Sequence, residues 1–527
     1  APLFDWDEIN FAESAREMLI SGNYLQVQID FQAFAEKPPF FIWMQALSMK
    51  LFGVNEFAAR LPNALIGITS MLALLAIGKR LKDKHFGALW ALIYVSSFLP
   101  HFYFKSALID PLFNLFIFTG IYFASKLTEN DEFTAKKKRR KIRNKAVFYA
   151  GLFIGLAVLT KGPVGLLLFS LTYLVLFAIS RFKRLNKLWE MIYFGIICLT
   201  TISVWYGLEW YVNGPAFLEG FFQRHIDLLT TSDAGHGGPF FYHFLVLFLG
   251  CFPASVFIFG GIKNHDFSTG LLHNFQRWML SLLIVVLVVF SLVQTKIIHY
   301  SSLAYFPITF FASYFIYYLL QGKRKWRWYH ATLFLFIGIV WGTAIALVPV
   351  LGKNTDVLVG IINGNDPFAA ANLQAKVFWS YYESIYGLSY ILVLVIAGVL
   401  FALKHIRLGV ATLFIGTCII IQLVVILFTP RIEKYTQDAA IQFYQEKASE
   451  QCYIQSLGFK SYAPLFYGQK AIELKPYTTE ELLNEYIEEP VYFVSKIDRK
   501  DEYLEKYPQL ELIMEKNGFV FYQKRQY

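Results

Sequence analysis

Residues 408–428, LGVATLFIGTCIIIQLVVILF, contain no Asp, Glu, Lys or Arg. A helix of this length crosses a hydrocarbon core of about 30 Å. Because the core of a bilayer offers no water to unpaired backbone groups, such a run has to be helical there. Similar runs recur along the 527 residues, of which 56% are hydrophobic and only 16% charged. The sequence therefore predicts an all-α polytopic membrane protein.

We predict twelve membrane spans, which together form a transmembrane helical domain over residues 62–429. The spans lie near residues 62–79, 86–104, 108–125, 146–160, 163–180, 188–211, 240–262, 277–295, 300–320, 330–350, 380–403 and 406–429.

The loops between these spans alternate in basic content. One set of loops holds 24 Lys and Arg, eight of them in residues 136–145, KKKRRKIRNK, whereas the opposite short loops hold six. Lys and Arg in short loops stay on the cytoplasmic side, so residues 1–61 and 430–527 face outward. An outward N-terminal segment has to be delivered across the membrane, and we therefore expect a further span upstream, which makes thirteen.

The same placement of charge argues against nucleic-acid binding. The net charge of +10 comes largely from basic clusters between apolar runs. Insertion polarity and anionic membrane lipids favour such clusters. We expect membrane lipids as partners and no nucleic acid.

Residues 1–61 contain two short amphipathic segments, 7–21 and 43–52. Glycine follows each segment at the position where a helix commonly ends, at Gly22 and Gly53. We predict two extracytoplasmic helices that lie along the outward membrane interface and carry the catalytic motifs.

The composition becomes polar from residue 430. Alternating apolar residues predict strands at CYIQSLGF, VYFVSKI and FVFYQK, and helices are predicted over 436–448 and 478–487. Residues 430–527 are therefore predicted to form a small extracytoplasmic α/β domain.

Ionisable residues on the outward side are few and clustered. At span ends such groups are costly, so they tend to be functional, although a solvated loop charge is the simpler explanation for any one of them. The candidate site residues are Asp7, Glu8, Glu36, Lys37, Asp110, Lys161, His225, His236, Lys296 and His299.

The two aspartates have an alternative explanation as helix starts. Asp7 opens a predicted helix, where an acid caps the backbone and favours the helix dipole. Asp110 precedes a proline, which is typical of a first helical turn. Both remain candidates, because a capping residue at a span end also borders any cavity there.

Lys37, in AEKPPFFIW, lies between Glu36 and a Pro–Pro pair and beside aromatic residues. At headgroup depth its ammonium suits a lipid phosphate, and an interfacial lysine extending past the aromatics is the alternative. Lys161, in LTKGPVG, interrupts an apolar stretch, and a tight outward turn is its alternative.

A divalent metal site is also considered. Glu36, His225 and His236 are ligand types for zinc, magnesium or manganese, but no tight ligand spacing supports a site. No cofactor is required by the sequence.

Several motifs resemble a known family. In chain order they are DEINFAESAREMLISGNY, FAEKPPFFIWMQALSMKLFGVNEFAARLP, ALIDP, LTKGP, RHIDLL followed by AGHGGPFFY, and TKIIHYS. Over roughly residues 1–310 the chain resembles the bacterial lipid A 4-amino-4-deoxy-L-arabinose transferases and their protein O-mannosyltransferase-like relatives, which have the GT-C fold. The thirteen spans usual in that family match the count predicted here.

The resemblance implies that Asp7 is the catalytic aspartate, that Lys37 holds the donor phosphate, that Asp110 lines the cavity, and that Glu36 and His225 lie near a metal site. With the neighbouring ionisable residues included, we expect catalytic roles for Asp7, Glu8 and Asp110. We expect donor-phosphate binding by Lys37, Lys161, Lys296 and His299, and a metal site at Glu36, His225 and His236. The family commonly has Arg–Tyr soon after the DE motif, where this chain has Asn10–Phe11. That departure argues against the same sugar or acceptor.

The implied function is inverting transfer of a sugar from a polyprenyl-phosphate donor to a lipid A, glycan or protein acceptor. The expected location is the cell inner membrane, with the active site and the C-terminal domain facing the periplasm. Because nucleotide sugars are absent there, the sugar has to arrive on a lipid. A lipid or solute transporter or flippase is the alternative, and it predicts broken helices and charges near the bilayer centre.

Overall fold

A computed structural model describes residues 1–4, 7–128, 136–182, 186–230, 237–262, 270–362 and 366–525. It is mainly helical. The N-terminal part has α1 (Asp7–Ser21), a hairpin of β1 (Gln28–Ile29) and β2 (Gln32–Ala33), and α2 (Phe40–Phe52). Gly22 and Gly53 follow the two helices with positive φ of 70° and 81°, a conformation that favours glycine. The helix ends predicted at these glycines are confirmed.

Helices α3 to α19 form the predicted transmembrane region. They are α3 (Glu56–Leu81), α4 (Lys84–Val95), α5 (Phe98–Tyr103), α6 (Asp110–Ser125), α7 (Lys136–Lys161), α8 (Val164–Ile179), α9 (Leu188–Asn213), α10 (Ala216–Thr230), α11 (Tyr242–Gly250), α12 (Ile258–Ile262), α13 (Gly270–Leu292), α14 (Tyr305–Leu320), α15 (Trp328–Lys353), α16 (Thr355–Ile362), α17 (Pro367–Asn372), α18 (Ile385–Ala402) and α19 (Ile406–Glu433).

Helices occur at all twelve predicted spans. Within the described ranges, eight helical stretches are long and apolar enough to cross a membrane alone, and the bent pair Tyr242–Gly250 and Ala254–Ile262 makes nine. The predicted spans 86–104, 108–125 and 163–180 are built from helices shorter than 18 residues. The polytopic membrane fold is confirmed.

Two predicted spans are not straight. The helix axis turns by 105° between Tyr242–Gly250 and Ala254–Ile262, because Pro253 in the break has no amide hydrogen to continue the helical ladder. The predicted span 86–104 is interrupted between α4 and α5, and the amide of Phe98 there donates to the carbonyl of Phe252 at 3.1 Å. The two breaks therefore pack against each other.

The centre of the bundle is α14. Every residue from Tyr305 to Leu319 is buried. Its neighbours include α4, α12 and α13. A helix that is apolar on all sides belongs in the interior of a bundle.

The C-terminal region contains four helices and a four-stranded sheet. They are α20 (Asp438–Lys447), β3 (Tyr453–Leu457), α21 (Ala463–Tyr467), α22 (Thr479–Asn484), β4 (Val491–Lys496), α23 (Lys500–Lys506), β5 (Leu510–Lys516) and β6 (Phe519–Lys524). The strand order is β3-β4-β6-β5, with β3 and β4 parallel and the other two pairs antiparallel. The three predicted strands are confirmed, and β5 was not predicted.

The N-terminal helix α1 lies between these regions. All its residues from Glu8 to Met18 are buried. It packs against α2, the hairpin strand β1 and α21. Protein therefore encloses α1 along most of its length, which places its first residue beside the helix ends of the bundle.

Candidate functional site

Asp7, the first residue of α1, faces His299. The carboxylate Oδ2 of Asp7 lies 3.3 Å from Nε2 of His299, in the 3-10 turn Ile298–Ala304 before α14. The Asp7 side chain keeps 33% of its surface exposed, against 14% for His299. The contact ties α1 to the bundle and leaves the carboxylate open to a ligand.

Asp110 and Lys161 form an ion pair between two neighbouring helices. Asp110 begins α6, Lys161 ends α7, and their Oδ1 and Nζ atoms lie 2.6 Å apart. An acid at a helix start and a base at a helix end are each favoured by the helix dipole. Gly162, with φ of 92°, turns the chain after Lys161. The tight turn predicted as the alternative for Lys161 is present, together with the ion pair to Asp110.

The turn that carries His299 also reaches Lys161. The Lys161 ammonium lies 5.4 Å from the ring centroid of Tyr300 and 5.9 Å from that of Phe113. A cation at this distance from an aromatic face is attracted to it. One turn of the chain therefore positions both the Asp7 pair and the Asp110 pair.

Lys37 lies among the charges of both pairs. It interacts electrostatically with Glu36, Lys161, Asp7 and Asp110. Burial lowers the pKa of Lys37, Glu36 opposes that shift, and the positive charge of Lys161 adds to it. The two lysines thus repel each other, so a bound anion between them would be favoured.

Glu36, beside Lys37, is bound by an arginine that the sequence analysis did not select. Nε of Arg224 in α10 lies 3.4 Å from Oε1 of Glu36. Arg224 is the first residue of the RHIDLL motif, so the motif itself pointed to this residue as a candidate. The ion pair connects α10 to the Lys37 segment.

Glu8 follows Asp7 but points elsewhere. Its side chain is 1% exposed, and Oε2 lies 2.7 Å from the Arg60 guanidinium. The backbone amides of Phe4 and Ala107 also donate to it. Both carboxylate oxygens are therefore engaged within the fold, and a catalytic role for Glu8 stays a prediction. Arg60, near the start of the first predicted span, was missed although it meets the same criterion of an ionisable group at a span end.

Lys296 lies four residues after the end of α13, in the segment before the turn Ile298–Ala304. Its ammonium donates to the carbonyls of Phe290 and Ser291, at 3.0 and 2.7 Å, and to that of Val293. Burial lowers the pKa of Lys296. These bonds satisfy carbonyls at a helix end that have no partner in the helix. The described contacts of Lys296 do not include the Asp7–Lys37 group, and a role in binding the donor stays a prediction.

The predicted metal ligands are only partly described. Glu36 pairs with Arg224; His225 lies in α10, but its side chain is outside the description, as is the whole of His236. Among the described residues, no group of three His, Cys, Asp or Glu side chains is placed to hold a metal ion.

Asn10 and Phe11 stand where the Arg–Tyr pair is expected, and both are buried. Phe11 packs edge-to-face on Phe41, with centroids 6.1 Å apart. Asn10 is 2% exposed, and its Oδ1 has no hydrogen-bond partner among the described residues. An uncharged amide and an apolar ring thus replace the two polar groups of the expected pattern.

The charged pairs come from five helix ends and turns that are distant in sequence. They are contributed by the start of α1, the segment before α2, the start of α6, the end of α7 and the turn before α14. Two lysines in this group can bind an anion, and Asp7 beside His299 can orient a nucleophile or accept its proton. The arrangement suits displacement of a phosphate leaving group.

Comparisons with known proteins agree with the motifs. Residues 36–206 match the family described as dolichyl-phosphate-mannose-protein mannosyltransferase. Two undecaprenyl phosphate-alpha-4-amino-4-deoxy-L-arabinose arabinosyl transferases are similar. The one from Wigglesworthia glossinidia brevipalpis is 26% identical over 58% of this chain and 53% of the relative. The one from Enterobacter sp. (strain 638) is 28% identical over 58% and 54%. The chain thus spans about half the length of these curated relatives.

Solved structures extend the similarity to the whole fold. The crystal structure of ArnT from Cupriavidus metallidurans bound to undecaprenyl phosphate superposes with a TM-score of 0.74 at 17% identity. The alignment covers 99% of this chain and 94% of that one. The apo structure gives a TM-score of 0.73. The resemblance read from the motifs is confirmed.

Proposed function

We propose that this chain, which shares the fold of the solved ArnT structures, is an integral membrane glycosyltransferase related to the aminoarabinose and protein O-mannosyl transferases. It transfers a sugar from a polyprenyl-phosphate donor, undecaprenyl phosphate by analogy with its relatives. The observation that carries the proposal is the grouping of Asp7, Lys37, Asp110, Lys161 and His299 at neighbouring helix ends.

Lys37 binds the donor phosphate. It is half-buried and precedes α2, in which the rings of Phe40 and Trp43 are 6.2 Å apart. Aromatic residues suit the headgroup region, where the polyprenyl chain meets its phosphate. As the bond from the anomeric carbon to the phosphate oxygen breaks, negative charge develops on the phosphate. The ammonium stabilises that charge.

Asp7 acts on the acceptor. For a hydroxyl acceptor, its carboxylate removes the proton while the oxygen forms the new bond to the anomeric carbon. For a phosphate acceptor, which is already an anion, Asp7 positions more than it deprotonates. His299 orients the carboxylate, and Lys161 keeps Asp110 paired within the same group. Direct displacement inverts the anomeric centre. The acceptor is lipid A, a glycan or a protein.

The break at residues 251–253 separates this proposal from transport. A transporter site has ionisable groups at broken helices near the bilayer centre. The break holds Cys, Phe and Pro, whereas the charged pairs lie at helix ends. The position of the charges supports an enzyme.

The test of function is transfer in proteoliposomes. Purified protein receives a radiolabelled undecaprenyl-phosphate sugar together with lipid A, oligosaccharide or peptide acceptors. We expect label on one acceptor class and release of undecaprenyl phosphate. Movement of intact labelled donor between leaflets, without release of undecaprenyl phosphate, would contradict the proposal and favour a flippase.

We place the protein in the inner membrane, with the charged group and the C-terminal region facing the periplasm. The excess of basic residues in the opposite loops supports this orientation. The residues that directly follow α14 and α15, at the two ends of one predicted span, provide a test in a cysteine-free background. Asn354→Cys should react with an impermeant thiol reagent on intact spheroplasts, and Gln321→Cys should react only after lysis. The reverse pattern would invert the orientation.

A further inference from the structure

A cavity of about 310 Å³ lies between α6, α7, α8 and α9. Its walls come from the end of α6, the middle of α7, the face of α8 and the first two turns of α9. Ala150 is its lining residue on α7, and Lys161 of the charged group is eleven residues further along the same helix. That separation is about 16 Å along the helix axis. None of the proposed catalytic or donor-binding residues lines the cavity.

The cavity opens on the outer surface of the bundle, between α8 and α9. Ser170 and Leu174, one turn apart on α8, and Met191 on α9 line it and are exposed. Deeper in the wall, Ala150 and Phe169 are buried. These residues lie within predicted spans, where hydrocarbon and not water surrounds the protein. An apolar chain is therefore the group that enters through this opening.

The carboxylate in the cavity wall is neutralised within the fold. Glu190 is the one acid among the described lining residues, and its side chain is fully buried. Its two oxygens accept from Nε and Nη2 of Arg143 at 2.6 and 2.7 Å, and the backbone amide of Lys187 donates to it at 3.0 Å. The ion pair is neutral as a whole, so the wall does not repel an anion.

Arg143 connects the cavity wall to the basic end of α7. Its Nη1 donates to the carbonyl of Leu127, another lining residue, at 2.6 Å. A guanidinium has five N–H donors, and the contacts with Glu190 and Leu127 use three of them. The Arg143 side chain is 16% exposed. Because the planar fork of arginine matches the geometry of a phosphate, Arg143 is suited to bind one at the rim of the cavity.

The chain on both sides of the cavity is strongly basic. Residues 126–145 hold nine Lys and Arg against three acids, and residues 181–187 hold four against none. Lys145, Arg181 and Lys187 are exposed. Insertion polarity accounts for basic loops, but it does not require a cavity whose wall includes the neighbours of Lys187 in the chain. Basic pockets between membrane helices bind anionic headgroups.

We propose that this cavity binds an anionic phospholipid, with an acyl chain between α8 and α9 and the phosphate at Arg143 and Lys187. An inorganic anion would leave the apolar wall empty. The donor's polyprenyl chain would leave the basic rim empty, because its phosphate is assigned to Lys37 at the other end of the bundle. A phospholipid with net negative charge satisfies both parts of the site. The inference is independent of sugar transfer, and the proposed orientation serves only to place the lipid in the cytoplasmic leaflet.

The test is native mass spectrometry of delipidated protein, titrated with dioleoyl phosphatidylglycerol or dioleoyl phosphatidylcholine. The wild type should bind phosphatidylglycerol with a Kd at least about tenfold lower than that for phosphatidylcholine. Lys187→Ala removes a rim charge and should weaken phosphatidylglycerol binding about fivefold. Ser170→Trp places an indole in the mouth, excludes part of the acyl chain and should weaken binding about tenfold.

Two control variants match these changes. Leu167→Trp adds the same ring at an exposed position of α8, three residues before Ser170 and outside the cavity wall. Lys79→Ala removes an exposed lysine in the last turn of α3. Both controls should bind phosphatidylglycerol as the wild type does. Equal affinity of the wild type for the two lipids would overturn the proposal, since the basic rim would then select nothing.

Photo-crosslinking locates the bound chain. Phosphatidylglycerol with a diazirine in one acyl chain should label residues 166–194 of the wild type and of Leu167→Trp, and this label should be lost in Ser170→Trp. Unlabelled phosphatidylglycerol should compete for the site. Unchanged labelling and binding in both Ser170→Trp and Lys187→Ala would exclude the cavity. Competition by undecaprenyl phosphate as effective as that by phosphatidylglycerol would overturn the proposal in favour of a polyprenyl tail.

Discussion

The two ends of α1 carry charges of different kinds. At its start, Asp7 is one-third exposed and contacts His299 at 3.3 Å. Further along, Glu13, Arg16 and Glu17 are all at most 2% exposed. The same helix thus holds one open carboxylate and one enclosed charge network.

The enclosed network has a complete set of partners. Arg16 donates to both oxygens of Glu13 at 2.7 Å and to the carbonyl of Lys470 at 3.1 Å. Glu17 accepts from the amides of Asp30 and Phe31, at 2.6 and 2.8 Å. Those two residues have positive φ of 58° and 55°, so the carboxyl holds a turn that non-glycine residues rarely adopt. The network joins α1, the hairpin and the C-terminal region.

The difference separates structural charges from functional ones. A buried charge survives when its partners satisfy it. A carboxylate that stays partly exposed at the end of an otherwise buried helix can still accept hydrogen bonds from a ligand. Substitutions at the start of α1 should therefore change catalysis, and substitutions in the network should change stability.

The largest effect is expected for Asp7→Asn. Asn keeps the size of the side chain but cannot accept the proton, so transfer should fall by about a hundredfold to ten-thousandfold. The thermal midpoint should barely change. Asp438→Asn is the control: Asp438 also lies in the first turn of a helix, α20, and this variant should transfer the sugar normally. Full transfer by the Asp7 variant would show that the carboxylate at the start of α1 is not functional, in contradiction of the comparison with the buried network.

Arg16→Ala should have the opposite profile. It leaves Glu13 buried without its cation, which costs about 3–5 kcal/mol of folding free energy. Thermal unfolding followed by size exclusion measures the loss. Arg499→Ala breaks an exposed ion pair with Glu502, 2.7 Å apart, and should change nothing measurable. A variant at Arg16 as stable as the wild type would show that the network does not hold the fold.

A smaller effect of pH is expected at the same network. Burial and the neighbouring Glu13 raise the pKa of Glu17 to about 9, from 4.5. The folded protein therefore keeps a proton that the unfolded chain releases, so stability should fall as pH rises from about 5 to 9. At pH 7 this loss of folding stability, relative to pH 4, is roughly 1–3 kcal/mol. Glu17→Gln should flatten the pH dependence of the thermal midpoint; an unchanged slope would mean that Glu17 is ionised in the fold.

The helical segments could be predicted from the sequence because membrane helices have a simple rule of length and polarity. The bend at Pro253 could not be placed, since proline also occurs in continuous membrane helices. Strand β5 was missed because only Leu510 of LELIMEK is buried and the strand pairs with β6 alone. An exposed edge strand lacks the alternation that identifies strands.

Within the site, the sequence identified the charged residues but not their partners. The sequence predicts Asp7, Lys37, Asp110 and Lys161 as site residues because they are ionisable groups on the outward side, and in the structure their charges interact. Which side chain each carboxylate contacts depends on packing between segments up to hundreds of residues apart, as with Asp7 and His299. Adjacent acids look equivalent in sequence, yet one helical step directs Glu8 to Arg60 and Asp7 to His299.

The open charges beside the start of α1 are proposed to bind a polyprenyl-phosphate sugar, whereas the enclosed network is not. Mass spectrometry of the lipid that co-purifies with the wild type, Lys37→Ala and Glu17→Gln distinguishes the two groups of charges. We expect a polyprenyl-phosphate species with the wild type and with Glu17→Gln. With Lys37→Ala we expect at least about a tenfold lower amount, because a charge-assisted bond of about 1.5–3 kcal/mol is lost. Equal amounts in the wild type and Lys37→Ala would contradict this proposal.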